Sequence, residues 1–344
     1  MSLSDPGESI MAGSVNRRWV VKQRPQGLLR PGDLALVEGA VPEPADGEFV
    51  VRVTHLAFDP AQLYGISFDS YRPAIPIGDV VDSFAAGEVV QSRNARFPVG
   101  MKVQGSFGWQ DYCLVADSSE VTALRSESPV KALNVLGLTG LTAYFGMTEI
   151  ARPGKGDIVV VSGAAGATGS IAGQIAKIAG ARVIGIAGGP EKCRWVTEVA
   201  GFDACIDYKA QDIGERLAAL APDGVNIVFE NVGGAVLDAS LAHLAIGARI
   251  ALCGGISSYV PSEGAPPAGI QNYMQLGLRR ASMTGFLVFD YADRFEDAFA
   301  TLGRWLDDGT IVSVEDVQQG LEQAPETLNR IYRGQNFGKQ LLAL

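Results

Sequence analysis

The feature that most constrains this chain lies between Ile158 and Ala179, where an apolar run, a loop of small residues and a helical pattern follow one another. The run Ile158–Ser162 predicts a buried strand, and isoleucines recur at helical spacing after Ser170. Residues 163–169 between them read Gly-Ala-Ala-Gly-Ala-Thr-Gly. Small residues permit a tight turn, and the amino end of a helix offers unpaired N–H groups to an anion. The pattern predicts a dinucleotide-binding turn of the form A-x-G-x-x-G, with Ala164 in the first glycine position. An ordinary glycine-rich loop is the alternative.

From about Leu138 onward, apolar strands alternate with helical patterns, which is typical of parallel βαβ units. Strands covered on both faces read as continuous apolar runs. Six such runs are predicted to be strands: Ile158–Ser162, Arg182–Ala187, Ala204–Asp207, Val225–Glu230, Arg249–Gly254 and Ser282–Val288. Helices are expected over Ser170–Ala179 and Asp293–Leu306. A Gly/Pro-rich loop, Pro261–Gly269, follows the fifth strand and is expected to border a ligand, because such sheets bind ligands beyond the carboxyl ends of their strands.

The part of the chain before this region has a different sequence pattern. From Arg18 to about Thr122, short β-rich runs are broken by Gly and Pro. It is expected to form a compact, largely antiparallel β unit. Its predicted strands are Phe49–Val53, Val80–Val90, Lys102–Gly108 and Asp111–Val115. A chain of 344 residues, 47% of them hydrophobic, is long enough for two cores. The sequence therefore predicts an α/β protein of two domains.

The segment after the second predicted strand of the βαβ region bears on which dinucleotide is bound. NAD sites place an acidic residue at the tip of this strand, whereas NADP sites provide a cation. Here the strand is followed by Gly188-Gly189-Pro190-Glu191-Lys192. No acid stands at the tip, and Lys192 falls near the expected 2′-phosphate, so NADP(H) is favoured. Two alternatives stay open: Glu191 facing a ribose, and Lys192 as a solvated helix lysine.

Composition narrows the classes of partner. The formal net charge is −10 and the sequence has no basic run, which argues against nucleic acid. No apolar run reaches the roughly 18 residues of a membrane helix, and the start has no leader-like pattern, so we expect no membrane partner and a cytoplasmic location. Isolated histidines and scattered cysteines predict neither a structural nor a catalytic metal site. These residues are His55, His243, Cys113, Cys193, Cys205 and Cys253.

Several motifs together resemble the zinc-free branch of the medium-chain dehydrogenase/reductase family that includes alkenal reductases, prostaglandin reductases and bacterial curcumin reductase. The resemblance covers most of the chain. It is carried by Asp59-Pro60, Phe107 to Tyr112, Leu136 to Tyr144, Ala164 to Gln174, Glu230 to Gly234, Cys253 to Tyr259 and Asn336 to Gln340.

The resemblance implies a Rossmann doubly wound parallel sheet nested within a mainly β, GroES-like catalytic domain. It places the GroES-like domain at 14–135 plus 313–344 and the NADP-binding Rossmann domain at 136–312, and it favours a homodimer. The cofactor contacts that it implies are Gly166, Ala167, Thr168, Gly169, Lys192, Tyr208, Asn231, Cys253, Gly254, Ile256, Ser257, Tyr259, Phe286, Leu287, Val288 and Asn336.

The same resemblance implies NADPH-dependent, zinc-independent reduction of the carbon–carbon double bond of α,β-unsaturated ketones or aldehydes. A neutral tyrosine can donate a hydrogen bond to the carbonyl oxygen on which negative charge develops. Tyr259 and Tyr273 are the leading candidates for this role, with Tyr64 and Tyr71 outside candidates. A packed ring with a structural hydrogen bond is the alternative for any one of them.

Two other functions remain open at this point. The first is an NADPH quinone reductase of the same fold, which differs in substrate. The second is a nucleotide-binding sensor without catalysis, since folds are reused.

Overall fold

The computed structural model describes residues 14–259 and 269–344, so the Gly/Pro-rich loop predicted at Pro261–Gly269 lies, except for its last residue, outside the described residues. The chain divides into two units. The first holds the chain up to Leu133 with Val317–Arg333 and Gln340–Leu344, and the second holds Asn134–Asp316 with Gly334–Lys339. The short segment Gly334–Lys339 thus lies in the second unit, whereas the sequence boundaries place it in the first.

The first unit is mainly β, as its alternating runs predict. Strands β1 (Val15–Val21) and β2 (Leu34–Ala40) pair antiparallel. A seven-stranded sheet has the order β14-β15-β3-β4-β5-β7, with β6 also paired to β3. Its strands are β3 (Phe49–Ala57), β4 (Phe84–Ser92), β5 (Lys102–Ser106), β6 (Tyr112–Val115), β7 (Thr122–Ala123), β14 (Glu315–Gln319) and β15 (Lys339–Ala343). The predicted strand at Val80–Val90 begins only at Phe84, because Val80 makes a single bridge to Val20.

The second unit contains a six-stranded sheet in the order β10-β9-β8-β11-β12-β13, and every neighbouring pair in it is parallel. Its strands are β8 (Ile158–Ser162), β9 (Arg182–Ala187), β10 (Ala204–Asp207), β11 (Val225–Glu230), β12 (Leu244–Leu252) and β13 (Ser282–Gly285). The order reverses between β8 and β11, which is the point where open sheets of this kind bind ligands. The predicted doubly wound α/β fold is confirmed. The last strand ends at Gly285 rather than at the predicted Val288, where a 3-10 helix begins.

Both units also contain α-helices. In chain order the α-helices are α1 (Ala61–Ser67), α2 (Pro129–Leu133), α3 (Leu138–Phe145), α4 (Ala167–Ile178), α5 (Pro190–Glu198), α6 (Ile213–Leu220), α7 (Gly234–Ala242), α8 (Met274–Leu278), α9 (Phe295–Asp307) and α10 (Ala324–Tyr332). A π-helix, Gly146–Ala151, continues α3. In the described ranges, no helix is long and apolar enough to span a bilayer.

The central strand β8 shows why its sequence is apolar throughout. Val159 and Val161 pack into one hydrophobic cluster, and Val160 packs into another. Side chains alternate between the two faces of a strand, so both faces of β8 are covered.

Two glycines set the position and the end of α4. A Cβ at Gly173 would lie 1.8 Å from the Phe202 ring, so only glycine allows the helix to approach this closely. Gly180 follows the helix with φ 85°, and the amides of Gly180 and Ala181 donate to carbonyls of the last turn. This is the usual way in which glycine ends a helix. These two glycines therefore fix how closely α4 packs and where it ends.

Candidate cofactor and substrate site

The glycine-rich turn joins β8 to α4 within a few residues. Gly163 has φ 62°, and the Gly166 amide donates to the Gly163 carbonyl over 2.8 Å. The Ala164 amide donates to Ile186 at the end of β9, which ties the turn to the neighbouring strand. A Cβ at Gly169 would lie 2.4 Å from the Gly163 carbonyl oxygen. The third glycine of the motif therefore permits the close approach of helix and turn.

The amino end of α4 is suited to an anion. Gly166 is the N-cap residue in an extended conformation, and no side chain caps the helix. The first amides of any helix lack an intrahelical acceptor, and the helix dipole makes this end positive. A pyrophosphate fits these amides chemically, because Gly166, Ala167, Thr168 and Gly169 present backbone with little side chain in the way.

The tips of β9 and β10 meet the carboxyl-terminal segment of the second unit. Lys192 Nζ donates to the Gly334 carbonyl over 2.8 Å. The hydroxyl of Tyr208 lies where a Cβ on Gly188 would come within 2.8 Å of it. Lys192 and Tyr208, two predicted cofactor residues, are therefore brought together beside Gly188 and Gly334, whereas Glu191 is exposed.

Asn336 lies in the same segment, next to the glycine-rich turn. Its side-chain amide donates to the Gly338 carbonyl over 2.9 Å, and the Gly338 amide donates to Ala165 over 2.9 Å. The segment that carries Asn336 therefore lies directly beside the glycine-rich turn, within the second unit.

The end of β11 carries a buried carboxylate that the sequence reasoning did not assign a role. Glu230 is fully buried, and its Oε1 accepts hydrogen bonds from the amides of Val232 and Gly233, each 2.6 Å long. Burial raises the pKa of Glu230, while these amide bonds oppose the rise. Asn231 is held by Ser162, whose hydroxyl accepts from the Asn231 backbone amide and whose carbonyl accepts from the Asn231 side chain. The sequence motif from Glu230 to Gly234 was recognised, but it did not show that the Glu230 carboxylate binds the amides of the loop that follows.

The loop after β12 is fastened to the end of β11. The amides of Cys253 and Gly254 donate to the Glu230 carbonyl, and the Ile256 amide donates to Asn231. The amide and the hydroxyl of Ser257 both donate to the Val232 carbonyl. Burial, and then the nearby Glu230, raises the pKa of the Cys253 thiol to about 12, so this thiol stays protonated near neutral pH. The loop is positioned by backbone hydrogen bonds and not by its side chains alone.

Tyr259 is the last described residue of this loop, and its phenolic oxygen is held in place. The Gly255 amide donates to the Tyr259 oxygen over 3.0 Å. A phenolic oxygen that accepts one hydrogen bond keeps its own proton as a donor. The Gly255 amide therefore fixes the position of the Tyr259 oxygen.

Tyr259 also lines a pocket of about 560 Å³. Asp290 is the one charged residue among those that line it, in the part of the chain that the structure describes. The lining residues are Leu252, Cys253, Gly254, Gly255, Ser258, Tyr259, Gly285, Phe286, Leu287 and Asp290. A mainly apolar pocket with few polar groups is typical of a small-molecule site.

The remaining predicted site residues lie in different surroundings. Phe286 and Leu287 line the pocket, but the Val288 side chain is buried in a cluster with Leu141 and Phe145. Tyr273 is the N-cap residue of α8, and 58% of its surface is exposed. It is not among the residues that line the pocket.

The outside candidates Tyr64 and Tyr71 belong to the first unit. Tyr64 packs edge-to-face on Phe68, and Tyr71 is exposed.

Both histidines have local partners. His55 Nδ1 contacts the Thr54 hydroxyl, and burial lowers the pKa of His55. His243 Nδ1 bonds to the Ala239 carbonyl. Within residues 14–259 and 269–344, no group of three or more His, Cys, Asp or Glu side chains is arranged to hold a metal ion.

Comparison with known proteins agrees with this architecture. Residues 17–124 match a family described as the N-terminal domain of oxidoreductase, and residues 167–304 match one described as zinc-binding dehydrogenase. The NADPH-dependent curcumin reductase of Escherichia coli (strain K12) is 39% identical over 95% of this chain and 96% of its own length. The NADP(+)-dependent 2-alkenal reductase of Nicotiana tabacum is 34% identical over 95% and 97%.

A solved structure gives the same result in three dimensions. The complex of CurA with NADPH from Vibrio vulnificus superimposes with a TM-score of 0.89 at 40% identity, covering 95% of this chain and 98% of that one. Fold and site together define an oxidoreductase with a Rossmann nucleotide-binding unit. The chain belongs to the medium-chain dehydrogenase/reductase family, in the branch of the curcumin, alkenal and prostaglandin reductases. The predicted family, enzyme class and NADP(H) dependence are confirmed at the level of this branch.

Proposed function

We propose that this protein uses NADPH to reduce the carbon–carbon double bond of α,β-unsaturated ketones or aldehydes. The observation that carries the proposal is that Tyr259, whose phenolic oxygen is fixed by the Gly255 amide, lines a mainly apolar pocket. The relatives named above, which reduce curcumin and 2-alkenals, support it.

For this reaction the protein must place the substrate against the cofactor and provide a hydrogen-bond donor for the carbonyl oxygen of the substrate. NADPH, when bound, supplies a hydride, which the β carbon of the substrate accepts. Negative charge then develops on the carbonyl oxygen, and the Tyr259 hydroxyl can donate a hydrogen bond to it. The α carbon takes up a proton that comes from solvent, which gives the saturated carbonyl product. The Gly255 amide donates to the phenolic oxygen and fixes its position, so the oxygen needs little reorganisation during the reaction.

The amide groups at the start of α4 would hold the pyrophosphate, and Lys192 would face the 2′-phosphate. Lys192 Nζ already lies within the second unit beside Tyr208 and Gly334. Asn231 and the loop Cys253–Tyr259 would border the nicotinamide end.

We propose that the reaction needs no zinc. In this scheme the Tyr259 hydroxyl performs the charge stabilisation that a metal ion provides elsewhere. Each histidine has a local partner, as described above. Full activity after exhaustive dialysis against a chelator is the expected result, and activity that returns only with added zinc would contradict the proposal.

We also propose a homodimer that forms along β13. This strand is at the end of the sheet, and among the described residues only β12 pairs with it. Apolar side chains on and near α8 are exposed, including Tyr273, Met274 and Leu278. Open edges and exposed apolar patches are typical of association surfaces. Light scattering should give twice the chain mass, and Leu278→Glu should shift it toward the monomer. The expected cytoplasmic location stays a prediction.

The decisive experiment follows NADPH oxidation with a panel of purified substrates. The panel holds alkenals and enones of graded size, matched quinones, and the corresponding saturated ketones and alcohols. Turnover of enones but not of saturated ketones, with a product reduced at the carbon–carbon bond, is expected. Faster turnover of quinones across the panel would favour the quinone reductase. Tight NADPH binding without any turnover would favour the sensor.

A further inference from the structure

Two cysteines, Cys193 and Cys205, lie against each other in the second unit. Cys193 belongs to α5 and Cys205 to β10, and their sulfur atoms are 2.8 Å apart. The Cys205 thiol donates a hydrogen bond to the Cys193 sulfur. Both residues are partly accessible. Neither belongs to the cofactor residues discussed above.

The geometry is close to that of a covalent link. A disulfide bond is about 2.05 Å long, so the two sulfurs need to approach by only roughly 0.8 Å. The chain between them turns directly from α5 into β10, which lies beside β9 in the sheet. The two sulfur atoms, each at the end of a rotatable side chain, therefore need only a small relative movement to form the bond.

We propose that Cys193 and Cys205 form a modification site, a dithiol that a peroxide converts into an intramolecular disulfide. The Cys193 thiolate attacks one peroxide oxygen, and the other oxygen leaves as hydroxide and takes up a proton to form water. Cys193 is then a sulfenic acid. The Cys205 sulfur attacks the sulfenic sulfur, the S–S bond forms, and the sulfenic oxygen leaves as a second water. Two thiols and one hydrogen peroxide thus give one disulfide and two waters.

The order of these steps follows from the surroundings. Cys193 is the fourth residue of the nine-residue helix α5, near its positive end, which favours a thiolate. Burial raises the pKa of Cys193, but the hydrogen bond from Cys205 opposes the rise. For Cys205, burial and the neighbouring sulfur both raise the pKa. Cys193 is therefore the attacking residue and Cys205 the resolving one. Oxidation is slower than at a free cysteine, because both thiols stay largely protonated at neutral pH.

The link would fasten the segments on which the adenosine end of the site is built. Lys192 directly precedes Cys193, and Asp207 lies two residues beyond Cys205. The Gly189 amide, at the start of α5, donates to the Asp207 carboxylate over 2.8 Å. The disulfide would add a covalent tie to this existing contact. Because the sulfurs move so little, the tie stabilises the native arrangement without displacing Lys192.

The test uses the full-length protein, reduced and then treated with hydrogen peroxide. The expected product has an intact mass lower by about 2 Da, with peptides containing Cys193 and Cys205 joined until a reductant is added. Closing a loop of thirteen residues should raise the melting temperature by about 5 °C, reversibly. NADPH affinity should change by less than about threefold, because the disulfide does not displace Lys192. A threefold change corresponds to under 1 kcal/mol.

Variants separate this site from general oxidation. Cys193→Ser and Cys205→Ser should each abolish the joined peptides and the rise in melting temperature. Cys113→Ser, in the first unit, should keep both. Peptide mapping of the unaltered protein does not depend on any variant folding. Stepwise oxygen addition to single cysteines without a joined peptide, or disulfides between two chains, would overturn the proposal.

Discussion

Gly169→Ala tests the close approach of helix α4 to the glycine-rich turn. The added Cβ would lie 2.4 Å from the Gly163 carbonyl oxygen and 2.9 Å from the Gly163 carbonyl carbon. Both atoms are backbone, so the turn or the helix must shift. No flexible side chain can give way instead.

The magnitude is set by two opposing terms. Alanine gains about 1 kcal/mol over glycine inside a helix. Overpacking costs about 1–3 kcal/mol, and a contact with rigid backbone belongs at the upper end of that range. The net expectation is a loss of about 1–2 kcal/mol in the free energy of unfolding. For a unit of this size, that lowers the melting temperature by roughly 3–6 °C.

Cofactor binding should suffer more than stability. A shifted turn misaligns amides that are expected to bind the pyrophosphate, and each hydrogen bond to a charged group contributes about 1.5–3 kcal/mol. Loss of one such bond weakens NADPH binding by roughly 10- to 100-fold. Isothermal titration with NADPH and thermal unfolding without it measure the two effects separately.

Gly303→Ala is the matched control, since Gly303 also lies inside a helix, α9. Its added Cβ would meet nothing closer than Leu136 Cδ2 at 3.8 Å. This variant should gain up to about 1 kcal/mol and keep the NADPH affinity of the original protein. If Gly169→Ala were stabilised like Gly303→Ala, or bound NADPH normally, the reasoning about the turn would be refuted.

Three further changes probe other parts of the molecule. Lys192→Ala should weaken binding of NADPH much more than binding of NADH, because only NADPH carries the 2′-phosphate; equal losses in parallel titrations would count against this role. Tyr259→Phe should lower kcat by about 10- to 1000-fold with little change in NADPH affinity, and an unchanged rate would remove Tyr259 from the mechanism. Burial opposes ionisation of Asp203, but hydrogen bonds from Lys177 and the Val183 amide outweigh it and lower the pKa of Asp203. The stability that this carboxylate contributes is therefore present above its unfolded pKa and lost as pH falls through the folded value. Asp203→Asn should flatten the fall in unfolding free energy below about pH 4, as measured by urea titration at several pH values.

Local patterns carried the prediction of the nucleotide-binding unit. Strand β8 and the turn at residues 163–169 lie where the sequence predicted them, because a buried strand must be apolar on both faces and the turn needs small residues. Boundaries were less exact. Helix α4 begins at Ala167 rather than Ser170, since the first turn of the helix is made of the same small residues as the loop.

Glu230 shows where a motif was visible but its physical role was not. The sequence placed Glu230 at the end of a predicted strand and assigned it no role. In the structure it is fully buried and organises the loop that carries Asn231. Its burial depends on neighbouring strands that the local sequence does not specify.

The sequence by itself determined that a strand, a turn of small residues and a helix would follow one another at Ile158–Ala179, since each is encoded by residues adjacent in the chain. Tertiary structure alone decided that Lys192 meets Gly334, 142 residues away, and that Cys193 in a helix faces Cys205 in a strand. Periodicity specifies which face of an element is buried. Which elements become neighbours follows from strand order and from the path of the chain end, and these depend on the packing of the whole unit.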